Sequence, residues 1–290
     1  MPCWHKTAPV GQRHISTGQT ARFSLCGMTQ PNEFAGKSAL VTGAASGIGA
    51  ACARWLVARG VSRLLLVDRH APALAALDLP GEVLRFDGDV ADEGLWAQIA
   101  EQAPALDYAV INAGIAGGAP IAEMALAEWR KTMSVNLDGA FLALRYTTRA
   151  LGDGGAVVLT ASVSAIKAEP GTAAYGASKA GLMQLGRVAA KELAPRRVRV
   201  NMIAPGGVDT PIWDQTPFFQ DMVAQHGGDR AAAMQALSSV ATPLGRFASA
   251  DEIAGQVGFL LSDAAANMTG TVLVSDGGVF AVRLAPALPG

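Results

Sequence analysis

Short apolar runs alternate with longer segments of helical periodicity from residue 37 onward. The apolar runs predict strands at Ser38–Val41, Arg63–Val67, Val83–Phe86, Tyr108–Ile111, Ala156–Thr160, Val198–Ile203 and Thr271–Val274. The periodic segments predict helices at Ile48–Arg59, Glu93–Gln102, Ala127–Ala150, Tyr175–Leu193 and Ala250–Ser262. Apolar strands separated by helices are typical of an α/β fold with a parallel sheet covered on both faces. The connections between such strands are right-handed crossovers.

The two ends of the chain lie outside this pattern. Residues 1–33 show no sustained periodicity, and we predict a disordered amino-terminal extension. One hypothesis makes Met28 the natural start, in which case deletion of residues 1–27 leaves activity intact. No linker or internal repeat divides residues 34–281, which we predict to form a single domain, and residues 282–290 form a carboxy-terminal tail.

Composition narrows the class of protein. Half of the 290 residues are hydrophobic, which supplies a large core, and the net charge of −1 offers no basic surface for nucleic acid or an anionic membrane. No apolar run approaches the roughly 20 residues of a membrane-spanning helix, and the amino terminus lacks the apolar core of a secretory signal. Cys3, Cys26 and Cys52 show no metal-ligand spacing. We therefore expect a cytoplasmic protein with reduced thiols and no metal site.

A glycine-rich turn joins the first predicted strand to the first predicted helix. Glycines permit a tight turn and close approach of the backbone to a pyrophosphate, while the helix amino terminus supplies free N–H groups and a positive dipole end. The residues that we expect to bind a dinucleotide here are Thr42, Gly43, Ser46, Gly47, Ile48 and Gly49.

An acidic residue ends the second predicted strand. Asp68 lies 19 residues after Gly49, near the spacing at which a carboxylate binds the ribose hydroxyls. The same carboxylate would repel a 2′-phosphate, so we expect NAD in preference to NADP. NADP is not excluded, because the neighbouring Arg69 is able to meet that phosphate.

A tyrosine and a lysine lie four residues apart on a predicted helix, 13 residues after Ser162. At this spacing the side chains of Tyr175 and Lys179 project in the same direction. A nearby cation lowers the pKa of a phenol from about 10, which makes a proton carrier suited to the interconversion of an alcohol and a carbonyl. Taken alone, the pair fits a core tyrosine and a solvated lysine better.

Several motifs taken together, in order and spacing, resemble those of the short-chain dehydrogenase/reductase family. The resemblance covers about residues 36–280. It implies a single doubly wound Rossmann-type domain with a mostly parallel, seven-stranded sheet. Because members of the family are commonly tetramers, it also implies a homotetramer. The motifs that carry it are Thr42–Gly49, Asp89, Asn112-Ala113-Gly114, Asn136, Ser162, Tyr175, Lys179 and Pro205-Gly206.

The resemblance implies a role for each residue of these motifs. Tyr175 exchanges a proton with the substrate oxygen, which Ser162 orients. Lys179 holds the nicotinamide ribose and lowers the Tyr175 pKa, while Asn136 anchors a water that connects Lys179 to solvent. Contacts to the adenosine half are implied for Asp89, Val90, Asn112, Ala113 and Gly114, and contacts to the nicotinamide half for Tyr175, Lys179, Pro205, Gly206, Val208 and Thr210.

The substrate is less well determined. We expect residues 211–242 to be an irregular insertion that closes over it, as in the family. The candidate pocket residues are Ser164, Ile166, Trp213, Phe218 and Met222. Since only Lys167 stands where a cation could bind a substrate anion, we expect an uncharged, fairly apolar secondary alcohol or ketone.

Two alternatives remain open. One is an NADPH-dependent reductase of 3-oxoacyl thioesters, against which Asp68 argues. The other is a non-catalytic dinucleotide-binding sensor, which the loss of Ser162, Tyr175 or Lys179 would have favoured.

Overall fold

The computed structural model describes residues 32–103 and 105–280. The expectations for residues 1–31, which include the start at Met28 and two of the cysteines, lie outside the described residues. The expectation for residues 282–290 lies outside them as well.

Seven parallel strands form one sheet, as predicted. They are β1 (Ser38–Thr42), β2 (Arg63–Asp68), β3 (Glu82–Asp87), β4 (Leu106–Ile111), β5 (Leu151–Thr160), β6 (Arg199–Pro205) and the last strand of the described chain, β9 (Val272–Ser275). Their order across the sheet is β3-β2-β1-β4-β5-β6-β9. Two short strands, β7 (Val208–Asp209) and β8 (Ala248–Ser249), pair with each other beside it.

Helices cover both faces of the sheet. They are α1 (Gly47–Val57), α2 (Ala71–Ala75), α3 (Glu93–Gln102), α4 (Leu126–Met133), α5 (Gly139–Ala150), α6 (Ala173–Leu193), α7 (Pro217–Gln225), α8 (Arg230–Ala241) and α9 (Ala250–Leu261). Successive residues of β2 project to opposite faces. Leu64 and Leu66 join a core with α1 and α9, and Leu65 and Val67 join a core with α3, α5 and α6. The predicted doubly wound α/β fold is therefore confirmed.

The order of the strands reverses between β1 and β4, and the loops at their carboxyl ends diverge there. A crevice at such a reversal is where open α/β sheets bind ligands. The buried hydroxyl of Thr42 connects the two loops, because it accepts hydrogen bonds from the N–H groups of Asn112 (2.9 Å) and Ala113 (3.0 Å).

The expectation of an irregular segment over residues 211–242 is wrong. Most of the segment forms α7 and α8. Pro217 stands at the start of α7, where its missing N–H costs nothing. The Asp229 side chain caps α8 by accepting from the N–H groups of Ala231 and Ala232. These are ordinary helix-start signals, which apolar periodicity alone does not reveal.

Several predicted bounds differ from the observed ones by one or two residues, and two further differences are larger. The helical stretch over residues 127–150 is divided by a π-helical turn, Ser134–Asp138, which lies between α4 and α5. Strand β5 begins at Leu151 rather than Ala156, because Leu151 pairs with Leu106 across a register shift. The intervening Gly-Asp-Gly-Gly sequence is typical of a turn, so the sequence pattern gave no sign of the pairing.

Candidate active site

The glycine-rich turn lies at the carboxyl end of β1 and opens α1. Gly43 has a φ of +65° and Gly47 a φ of +52°, values that L side chains rarely adopt. A Cβ at position 43 would also come within 2.9 Å of the Ala113 Cα. The turn therefore requires glycine at both positions for its conformation.

The amino terminus of α1 is left open to an anion. Its N-cap residue, Ser46, makes no side-chain cap hydrogen bond, and the first turn contains no acidic residue. The positive end of the helix dipole is thus uncompensated within the turn, an arrangement that fits a pyrophosphate.

Asp68 is fixed beside this turn at the end of β2. One carboxylate oxygen accepts from the Ala45 N–H and the other from the His70 N–H, both at 2.9 Å. Each oxygen retains a second lone pair that can accept from a ribose hydroxyl. The neighbouring Arg69 is exposed.

The adenosine-side candidates lie at the ends of β3 and β4. Asp89 is exposed and accepts from the Ala91 N–H at 2.9 Å. Val90 is buried against Gly139, where a Cβ would approach its Cγ2 to 2.5 Å. Asn112 donates its side-chain N–H to the Thr42 carbonyl at 3.2 Å, which holds the loop after β4 against the glycine-rich turn.

Lys179 is buried at the centre of the site. Its side chain is 3% exposed, and its Nζ donates to the Thr160 carbonyl at 2.8 Å. Burial disfavours the ammonium form and lowers the pKa from 10.5 to about 8. A Cβ on Gly114 would lie 3.2 Å from this Nζ and 3.3 Å from the Asn136 Oδ1. The absence of a side chain at position 114 thus leaves space beside two polar atoms.

The Tyr175 pKa shifts in the direction opposite to the sequence expectation. Removal of the phenol from water raises the pKa above its ordinary value of 10.0, and a hydrogen bond with Ser162 offsets this in part. The Lys179 Nζ lies 5.9 Å from the centre of the Tyr175 ring. The spacing of the two residues correctly predicted that they lie close together, but it did not indicate how deeply they are buried.

Ser162 begins the turn that follows β5. Its Oγ accepts from the Ser164 N–H at 3.2 Å, and the side chain caps a short 3-10 helix at Val163–Ala165. A hydroxyl has one proton and two lone pairs. The cap uses one lone pair, so the proton remains available to a reacting oxygen or to Tyr175.

Asn136 is completely buried within the π-helical turn. Its Oδ1 accepts from the Ile115 N–H at 2.8 Å, while its Nδ2 donates to the Ile115 carbonyl and to the Ser178 Oγ, both at 3.1 Å. The amide group is therefore held by protein partners. Ser178 is a further residue of the site that the sequence motifs did not predict. It stands between Tyr175 and Lys179, and its hydroxyl donates to the Tyr175 carbonyl at 2.7 Å.

The segment after β6 meets the glycine-rich turn from the other side. The Gly206 N–H donates to the Ser275 carbonyl at 2.9 Å, which fixes the chain just beyond Pro205. Val208 and Thr210 are both buried. A Cβ on Gly47 would lie 3.2 Å from the Thr210 Cβ, so this predicted contact region for nicotinamide adjoins the one for pyrophosphate.

The substrate-pocket candidates separate into two groups. Ser164 and Ile166 lie in and just after the turn that Ser162 begins. The Trp213 Nε1 donates to the Val208 carbonyl at 2.8 Å, and its ring stacks on Phe247 with centroids 5.4 Å apart. Trp213 and Met222 both pack against a small apolar cluster formed by Phe219, Ala233 and Met234. These two side chains therefore pack the segment, whereas Phe218 is 47% exposed.

Comparison with known proteins agrees with these observations. A family model described as Enoyl-(Acyl carrier protein) reductase matches residues 43–280. D-threitol dehydrogenase from Mycolicibacterium smegmatis is 39% identical over 258 residues, which cover 84% of this chain and 92% of the relative. The chain belongs to the short-chain dehydrogenase/reductase family. The family predicted from the sequence motifs is thereby confirmed.

Other members of the short-chain dehydrogenase/reductase family show its range of reactions. Cis-4-hydroxycyclohexanecarboxylate dehydrogenase from Sinomonas cyclohexanicum is 36% identical, with coverage of 86% of this chain and 98% of the relative. The 3-oxoacyl-[acyl-carrier-protein] reductase FabG from Thermotoga maritima is 34% identical, with coverage of 84% and 98%. These names confirm the predicted reaction class, oxidoreduction of an alcohol or ketone.

A solved structure in the same family supports the fold. L-sorbose reductase from Gluconobacter frateurii, in complex with NADPH and L-sorbose, superposes with a TM-score of 0.79 at 28% identity. The match covers 88% of this chain and all of that one. The open amino terminus of α1, the positive-φ glycines and the space beside Gly114 in the present protein fit a nicotinamide dinucleotide.

Proposed function

We propose that this short-chain dehydrogenase/reductase transfers hydride between a nicotinamide dinucleotide, NAD in preference to NADP, and an uncharged secondary alcohol or ketone. The observation that carries the proposal is the placement of Tyr175, Ser162 and buried Lys179 together at the carboxyl end of β5. That end of the sheet adjoins the open amino terminus of α1.

The protein residues orient the substrate and move one proton. When bound, the dinucleotide supplies hydride chemistry. Ser162 donates a hydrogen bond to the reacting oxygen, and Tyr175 gives its phenolic proton to that oxygen during reduction. During oxidation Tyr175 must first lose this proton, so we expect the oxidation rate to rise with pH. Lys179 holds the nicotinamide ribose, and Asn136 positions the loop after β4 through its bonds to Ile115.

The preference for NAD rests on Asp68. Two backbone N–H groups fix its carboxylate next to the glycine-rich turn, where a fixed negative charge opposes a 2′-phosphate. Arg69 is exposed at the next position and is the residue that an NADP-dependent enzyme would use.

The preference for an uncharged substrate rests on Lys167. Its Nζ pairs with the Glu169 Oε1 at 2.5 Å, so this cation is already neutralised on the turn after Ser162. The name D-threitol dehydrogenase supports an uncharged polyol as the substrate class. The name cis-4-hydroxycyclohexanecarboxylate dehydrogenase supports a cyclic alcohol, although that compound also carries a carboxylate. A 3-oxoacyl thioester reductase is the second candidate, which the FabG relative favours and Asp68 opposes.

We further propose a homotetramer that acts in the cytoplasm. Phe141 on α5 and Val188 on α6 are 48% and 43% exposed, and apolar side chains on outer helix faces support contact between subunits. Among the described residues, no helix has both the length and the apolarity that crossing a bilayer requires. Light scattering of the wild type and of Phe141→Glu would test the assembly.

A panel of uncharged cyclic alcohols and polyols tests the activity, with NAD or NADP and absorbance of the reduced cofactor as the readout. We expect turnover with NAD, and loss of turnover without loss of dinucleotide binding in Tyr175→Phe. Tyr108→Phe is the matched control, because Tyr108 packs on Phe34 at the other end of the sheet. Full activity in Tyr175→Phe would refute the mechanism, and binding without turnover on the whole panel would favour a sensor.

A further inference from the structure

One arginine joins the helical segment of residues 211–242, here called the lid, to the chain just after β6. The Arg230 Nε donates to the Asp214 Oδ1 at 2.7 Å, and one terminal nitrogen donates to the Asp209 Oδ1 at 2.8 Å. The other terminal nitrogen donates to the Thr210 carbonyl at 3.2 Å. A single guanidinium thus holds both ends of the segment Asp209–Asp214.

The position of Arg230 is itself fixed. It is the first residue of α8, and the cap at Asp229 satisfies the next two N–H groups of the helix. At the other end of the contact, Thr210 lies against Gly47 of the glycine-rich turn. Arg230 therefore connects the lid directly to Asp209 and Thr210, and Thr210 lies beside the glycine-rich turn.

Apolar packing of the lid is limited. Its buried apolar residues are Phe219, Ala233 and Met234. A cleft of about 300 Å³ remains beside them, lined by Asp214, Phe219, Gln220, Val223 and Arg230. Where a cleft replaces packed atoms, fewer dispersion contacts hold an element in place, and such elements open at low free energy. The polar contacts of Arg230 consequently provide a larger share of the interactions that hold the lid to the rest of the protein.

We propose that Arg230 is a positioning residue for the reaction proposed above, on which this inference rests. It holds the segment Asp209–Asp214 against the glycine-rich turn, so that the lid and the nicotinamide-facing residues Val208 and Thr210 are ordered together. The guanidinium makes these contacts as a planar fork with donors in fixed directions, a geometry that lysine cannot reproduce.

Arg230 is expected to affect local order more than global stability. The side chains of Arg230, Asp209 and Asp214 are 38%, 49% and 44% exposed, and ion pairs at such exposure contribute little to the stability of a whole domain. The effect of removing the arginine should therefore be confined to the segment that it holds.

Hydrogen exchange of the protein alone tests this order. We expect amides of residues 208–225 to exchange about tenfold faster in Arg230→Met. Arg196→Met is the matched control, because Arg196 is 36% exposed and donates to the Asp153 carboxylate and the Thr148 carbonyl near the start of β5. In the control, residues 208–225 should exchange as in the wild type. Unchanged exchange in Arg230→Met would refute the role of the arginine.

Dinucleotide affinity, measured by calorimetry with NAD and with NADP, tests the connection to the site. We expect the Kd of the preferred dinucleotide to rise about tenfold in Arg230→Met, to recover only in part in Arg230→Lys, and to stay within about twofold in Arg196→Met. Faster exchange with unchanged affinity would refute the claim that order in the lid affects dinucleotide binding. Full recovery of affinity in Arg230→Lys would refute the requirement for a planar guanidinium. A wild type that binds neither dinucleotide would refute the proposed function, while the exchange comparison would still decide whether Arg230 orders the lid.

Discussion

Replacement of Lys179 by methionine is expected to make the protein more stable at pH 7 while removing turnover. Burial lowers the lysine pKa from 10.5 to about 8. One pKa unit corresponds to 1.36 kcal/mol, so the buried ammonium destabilises the fold by about 3 kcal/mol at pH 7. The variant also loses the hydrogen bond to the Thr160 carbonyl, worth about 1 kcal/mol. The expected net gain is about 2 kcal/mol.

The sign of the pH dependence follows from the same two pKa values. Between about pH 8 and pH 10.5 the unfolded chain binds more protons at Lys179 than the folded protein does, so the wild type gains stability as pH rises. The advantage of Lys179→Met should fall by about 2 kcal/mol between pH 7 and pH 9.5. At the higher pH the two proteins should be about equally stable.

Urea unfolding at a fixed protein concentration, at several pH values, measures this difference. Lys191→Met is the control, since Lys191 lies on the same helix and is exposed. It should show no comparable pH-dependent change. If Lys179→Met were less stable at pH 7 by an amount independent of pH, Lys179 would not be a buried ammonium held at a cost in stability.

Three further predictions concern other parts of the chain. Asp68→Asn should weaken the preference for NAD over NADP by about tenfold, measured as the ratio of kcat/KM values, because it removes the charge that opposes a 2′-phosphate; an unchanged ratio would count against the assignment. Arg199 donates to four carbonyls within residues 260–265, at and just after the end of α9. Arg199→Met should therefore lose about 3 kcal/mol in urea unfolding, whereas exposed Arg187→Met should lose almost nothing. Burial raises the Cys52 thiol pKa to about 12; with the other two cysteines replaced by serine, a thiol reagent should react only after unfolding, and fast reaction with the native protein would contradict its burial.

The glycine-rich turn could be predicted from sequence because its requirements are local. Positive φ at Gly43 and Gly47 favours glycine at both positions. The close approach of Ala113 to Gly43 is a contact between distant parts of the chain, and the local pattern did not predict it. The relation between Tyr175 and Lys179 is local, because it follows from helix geometry.

Features that depend on distant partners could not be predicted in this way. The direction of the Tyr175 pKa shift depends on how much of the fold covers the phenol. The partners of Arg230 lie 16 and 21 residues away along the chain, and no periodic pattern connects them. The lid helices were a different case, because the signals at Pro217 and Asp229 were present in the sequence.

The π-helical turn at Ser134–Asp138 limits how this part of the chain can change in length. Each residue of an α-helix advances the direction of its side chains by about 100°. A π-helical turn takes up one extra residue within an α-helix, so deletion of one residue from Ser134–Asp138 would restore a regular helix and leave Leu142 and Tyr146 of α5 buried. The same deletion would move Asn136 away from its partners Ile115 and Ser178. Deletion of a residue from α5 itself would instead rotate the rest of that helix by about 100°.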